Sequence, residues 1–166
     1  MAHDDADARK KLFGMIEDIE VAMMTTLETD GSMRARPMWT QPPDENGDLW
    51  FATKVDSAKA GEIGREHEVC LSYAHPGRQD YVSVSGRADI VRDKAAIEKH
   101  WKESLRTWFP DGKDDPQLAF IKVHPHYGAY WDSPSSTMVH LFGYAKAAAT
   151  GQSPKHPGDE GKVRLG

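Results

Sequence analysis

Residues 21–39 read VAMMTTLETDGSMRARPMW. Two extended-looking segments flank Asp30-Gly31, and an Asp-Gly step between such segments is the strongest short-range hairpin signal a sequence offers. The stretch therefore predicts a strand, a tight turn and a second strand. Upstream, residues 6–20 place Leu12, Phe13, Ile16 and Ile19 on one face of a helix with charges elsewhere. Downstream, DLWFATK (48–54) reads as a third strand and residues 57–66 as a short helix. EVCLSYAH (68–75) and YVSVSGRADIV (81–91) alternate again, with Gly86 marking a bulge or tight bend. KAAIEKHW (94–101) is helical, and TWFPDGKDDP (107–116) is a loop dense in turn residues. LAFIKVHPHYGAYWD (118–132) is a long strand, and residues 138–150 form a last helix with Gly151 at its C-cap.

About six strands at short spacing, joined mostly by tight turns, predict an antiparallel sheet. The helices fall at the start, at the joints and at the end, without βαβ alternation. The fold class is α+β with a closed or nearly closed barrel. The organisation expected is one folded domain over residues 1–151 and a flexible C-terminal tail over 152–166, which holds two prolines and three glycines and no apolar period.

Bulk properties narrow the function classes. A net charge of -5 argues against a nucleic-acid binder. No apolar run approaches the roughly 18 residues that span a bilayer. The acidic start MAHDDADARKK lacks the apolar core of a secretory signal, and the single cysteine, Cys70, suits a reducing cytoplasm. Cys70 itself reads as a small core residue.

The stretch LWFATKVDSAKAGEI (49–63) carries the chemistry. A strand ends near Thr53 and a helix starts near Ser57, so free backbone N–H groups converge at the joint, and Lys59 adds a cation in the first turn. The helix dipole is already positive there, so a lysine is unfavourable unless an anion shares the spot. A simple N-cap and a surface lysine explain the stretch without any ligand. The hairpin shifts the balance. Arg34 and Arg36 lie two apart on a strand and share a face, and arginine is suited to bidentate phosphate recognition. Should MRARPMW pair with LWFATK, these arginines and the Ser57–Lys59 turn would surround one phosphate; two exposed arginines on an edge strand is the competing account.

Tyr127 and Trp131 share one face of the late strand, while Trp50, Phe51 and Tyr81 fall in others; such aromatics serve cores, subunit contacts or ring stacking. His124 and His126 also lie two apart, but no third ligand accompanies them, so no metal site is expected.

Taken in order, MTTLETDGSMRARPM, LWFATKVDSAKAGEI, VCLSYAHPGRQDYVSVSGRADIV, WFPDGKDDPQLAFIKVHPHYGAYWDSPSS and MVHLFGYAKAAATG resemble the pyridoxamine 5′-phosphate oxidase-like flavin-binding split barrels, and within them the bacterial general stress protein group. The resemblance covers about residues 8–151. It implies a six-stranded antiparallel split β-barrel (Greek key) with flanking helices, and a homodimer with FMN, or FAD, at the subunit interface. Carried over, Arg34, Arg36, Ser57 and Lys59 would bind the flavin phosphate. Pro37, Met38, Phe51, Ala52 and Thr53 would line the ring and ribityl chain. Tyr81 falls at a polar flavin contact, and Trp131 resembles an aromatic that closes the site from the other subunit. The implied function is a flavin-dependent oxidoreductase acting on a small molecule. A non-catalytic flavin carrier is the alternative, as is a split barrel holding a deazaflavin or haem. The vitamin B6 oxidases of this superfamily carry Arg-Lys after the serine, where this chain has Ala58-Lys59. They place a lysine where it has Trp39, and their C-terminal substrate block has no counterpart here. Oxidation of pyridoxamine 5′-phosphate is therefore not expected; Arg87 and Lys122 are further cations but sit in no substrate motif.

Overall fold

The computed structural model describes residues 2–132 and 159–166. Helix α1 (Ala2–Ile19) leads into the hairpin of β1 (Val21–Leu27) and β2 (Met33–Trp39). Strand β3 (Leu49–Lys54), helix α2 (Ala58–Arg65), β4 (Glu68–His75) and β5 (Asp80–Val91) follow. Helix α3 (Lys94–His100), two 3-10 turns, the long β6 (Leu118–Asp132) and β7 (Asp159–Arg164) complete the described chain. The helix expected over 138–150, with Gly151 as its cap, lies outside the described residues.

The hairpin forms where its sequence placed it. Val21 pairs with Trp39 and Leu27 with Met33. The loop closes through Glu28 N–H to the Ser32 carbonyl at 2.8 Å, with Gly31 at a φ of 84° in the left-handed region. The Asp30 carboxylate accepts the Ser32 amide at 2.9 Å and fixes the turn from the side. Gly86 sits at a register shift between β5 and β6, where an added Cβ would stand 2.6 Å from the His124 carbonyl oxygen. Only glycine lets the two backbones approach that closely.

The sheet is antiparallel in the order β2-β1-β4-β5-β6-β3, with β7 also on β6. Among the described residues its two edge strands, β2 and β3, form no ladder with each other; a single bridge of Gln41 to Trp50 lies beyond the end of β2, so the barrel is split rather than closed. The pairing of MRARPMW with LWFATK does not form. Strand β3 instead ladders with β6, Leu49 opposite Val123 and Lys54 opposite Leu118. Both strands are apolar, and β3 is buried on both faces: Leu49 and Phe51 enter the barrel interior, and Trp50 packs on the other side with Phe109, Leu118 and Phe120, beneath α3. The barrel interior is filled by α1 (Leu12, Ile16) and by inward residues of β1, β4, β5 and β6, among them Met24, Leu71, Val84 and Ile121.

The expectation of an undocked tail fails for residues 159–166. Strand β7 pairs with β6 from Tyr127–Arg164 to Asp132–Asp159, along the edge that β3 leaves open beyond Val123. Val163 and Leu165 are almost wholly buried in the main core beside Leu12. Gly161 lies under the Tyr130 ring, where a Cβ would come within 2.4 Å, and Arg9 donates to the Leu165 carbonyl at 3.1 Å. Cys70 also departs from expectation: it is half-buried at an outward position of β4, its thiol 3.8 Å from the Ser83 hydroxyl.

Candidate anion site at the start of helix α2

Helix α2 begins at a cap whose side chain does not cap. The Ser57 hydroxyl lies 3.2 Å from the Thr53 hydroxyl at the end of β3 and makes no bond to the first turn. The Ser57 carbonyl accepts the amides of Ala60 and Gly61. Among the described residues, the amides of Ala58 and Lys59 have no acceptor. The first turn holds no acidic residue. Lys59, half-buried, forms no ion pair or hydrogen bond among the described residues. Burial pushes its pKa down, the charge of Arg36 pushes it further, and Glu62 alone pulls it up.

Strand β2 supplies Arg36 from the edge of the sheet. Its position is opposite Met24, so it shares the interior parity of β1 and reaches α2. One terminal nitrogen donates to the Thr26 hydroxyl and the other to Glu62 Oε2 at 3.0 Å. The Thr26 hydroxyl donates in turn to the same carboxylate. Glu62 is buried, which raises its pKa, but the Thr26 hydrogen bond and the Arg36 charge outweigh burial and hold it below the ordinary carboxylate value. Arg34 shares the parity of Arg36, but its side chain is exposed and ion-paired with Glu28; its charge still reaches Glu62.

The residues singled out in the sequence thus divide into three groups. Arg36, Thr53, Ser57 and Lys59 gather at the α2 start, with Arg34 at the margin. Met38 and Phe51 both belong to the barrel interior, and Ala52 is half-buried on the opposite face of β3. Pro37, Tyr81 and Trp131 lie on the outer face of the sheet, away from Arg36. Tyr81 and Trp131 stand opposite each other across β5 and β6, 41% and 44% exposed. Two members of the cluster escaped the sequence reading. Thr26 follows Ala22 and Met24 at a buried position of β1, and Glu62 lies one turn beyond Lys59 beside buried Ile63. A polar residue at a buried parity is the signal that could have revealed them.

Chemically, a half-buried lysine, a guanidinium clamped from one side, a hydroxyl and two open amides form an acceptor for a multivalent anion. Among the described residues no three His, Cys, Asp or Glu groups converge as a metal site. His124 bonds Asp48 at 2.7 Å and His126 faces Glu68 at 3.7 Å, so the two go separate ways. No described helix is long and apolar enough to cross a membrane.

The split antiparallel barrel is a fold this chain shares with known proteins. The chain belongs to the pyridoxamine 5′-phosphate oxidase-like family, whose family model matches residues 7–155. Its relatives include general stress proteins. General stress protein 26 of Bacillus subtilis is 30% identical over 138 residues, covering 81% of this chain and 96% of that protein. The general stress FMN/FAD binding protein of Xanthomonas citri is 27% identical, with a TM-score of 0.68 over 79% of this chain and 92% of the other. A general stress protein 26 structure from Jannaschia sp. CCS1 superposes with a TM-score of 0.75 over 96% of this chain and 99% of its own, at 24% identity, and shows the shared fold.

Proposed function

We propose that this chain is a flavoprotein that binds FMN, with its phosphate on Lys59, Arg36, Ser57 and the open amides of α2, and Arg34 at the margin. The observation that carries the reading is Lys59: a half-buried cation in a helix first turn, beside Arg36 and, among the described residues, without an ion pair of its own. Such a placement is unfavourable in the free protein and becomes favourable when a phosphate arrives. The relative from Xanthomonas citri, named for FMN/FAD binding, supports the same ligand class. The donor set fits the group: cations and N–H donors for the phosphate, and the strand ends of β2 and β3 for the rest.

The same reading places the flavin at the interface of a homodimer. The outer face of the sheet carries Met23, Trp39, Tyr81, Tyr127 and Trp131, each more than a third exposed, around the small residues Ser72, Ser83 and Ala129. A face of small residues rimmed by large apolar ones suits a second copy better than water. Tyr81 and Trp131 of one copy then approach the site of the other. Bound FMN supplies a ring that accepts and returns two electrons, which makes the protein an oxidoreductase toward a small donor or acceptor. This chain's own residues hold the phosphate, exclude water and fix the ring's edge. The test is to titrate the purified protein with FMN and riboflavin and to follow reduction of the bound flavin by a nicotinamide nucleotide. FMN binding without reduction would leave a carrier, and no preference for FMN would remove the phosphate assignment.

A further inference from the structure

Glu62 is an unexpected group to find among cations that hold a phosphate. A carboxylate there repels the ligand, so its presence calls for a compensating role. Its geometry supplies one. Glu62 Oε2 accepts from Arg36 at 3.0 Å and from the Thr26 hydroxyl, and that hydroxyl accepts from the other terminal nitrogen of Arg36. The three groups close a ring on one side of the guanidinium and use one N–H from each terminal nitrogen. Arginine has five such donors in a rigid fork, so three remain for a ligand.

We propose that Glu62, with Thr26, is a positioning residue of the anion site: it clamps one side of Arg36 so that the remaining donors are held toward a phosphate monoester at Lys59 and the α2 start. The inference rests on the flavin-phosphate reading above. Glu62 has a second effect through charge. The charges acting on Lys59 are Arg36 from β2 and Glu62 from its own helix; of the other elements packed on α2, β1 contributes the uncharged Thr26, and no charge of β5 acts on it among the described residues. Glu62 is the one of these that favours the protonated lysine, so it keeps Lys59 charged beside an arginine.

The experiment measures the affinity gap between FMN and riboflavin, which isolates the phosphate, in the wild type, Glu62→Gln, Glu62→Ala and Thr26→Val. The gap should shrink about tenfold in Glu62→Ala and severalfold in Thr26→Val, with riboflavin affinity unchanged. Glu62→Gln keeps an acceptor for Arg36 and should hold the gap within about threefold at neutral pH. Its gap should close at a lower alkaline pH than that of the wild type, because Lys59 then loses the carboxylate that supports its charge. A gap that survives in Glu62→Ala, or equal weakening of FMN and riboflavin, would overturn the clamp. Should Glu62→Ala fail to fold, an alkaline limb in Glu62→Gln that matches the wild type would overturn it instead. A wild-type protein with no gap would overturn the phosphate reading itself, and the clamp with it.

Discussion

Lys59, Arg36 and Glu62 come from two elements far apart in sequence and meet because β1 lies between them. Strand β1 positions Arg36 through the hairpin register and touches α2 through Thr26. The cations were legible in the sequence, since Arg34 and Arg36 share a strand parity and Lys59 opposes the helix dipole. Their counter-charges were not: a buried carboxylate shows itself only once its partner's position in space is known. Glu62 makes the first prediction. Its pKa in the folded protein lies below the ordinary 4.5. A carboxyl depressed by folding binds its proton more tightly in the unfolded chain. It therefore adds stability above about pH 4.5, the unfolded value, and that contribution is lost as pH falls through the lower folded value. Denaturant unfolding across the acid range should show the wild type losing an increment that Glu62→Gln never had. Parallel curves would contradict the pairing.

Among the elements, β7 was the least legible. DEGKVR carries one buried apolar residue, Val163, and Leu165 follows just outside it; two positions are too few to show a period. What fixes the strand is complementary shape: Gly161 accepts the Tyr130 ring, and Gly128 leaves room for the Leu12 and Leu165 side chains. Burying two such side chains contributes about 3–6 kcal/mol, so deleting residues 159–166 should lower the melting temperature by at least about 6 °C. A scan showing an unchanged midpoint would mean that the strand is dispensable. The β1–β2 hairpin was legible because a local turn signal sets its register. The partner of β3 was not, since several strands present the same alternation and only packing on both faces of β3 selects β6.

At the scale of the whole molecule, the α+β class and a closed or nearly closed antiparallel barrel followed from strand spacing and turn chemistry, and its split form from the family resemblance, whereas the outer face became visible only when the registers aligned its aromatics. Ser83 lies near the middle of that face, opposite Ser72 and Ala129. Ser83→Arg should turn a dimer into a monomer by light scattering and weaken FMN in parallel; a variant that remains dimeric would place the interface elsewhere. The protein should also fail to turn over pyridoxamine 5′-phosphate, which needs a second anion site. Lys122 is committed to Asp48 at 2.8 Å, and Arg87 stands on the exposed surface 4.0 Å from Asp89, in no substrate motif. Repeated formation of pyridoxal 5′-phosphate by the FMN-loaded protein would contradict this. Whether the α2 start holds the flavin phosphate is decided by titrating FMN and riboflavin into the wild type and Lys59→Ala at neutral pH. Charge-assisted contacts contribute about 1.5–3 kcal/mol each, so FMN should bind at least about tenfold more tightly than riboflavin. Lys59→Ala should lower FMN affinity by roughly tenfold to a hundredfold and leave riboflavin unchanged. Equal affinity of the wild type for the two flavins would contradict the account.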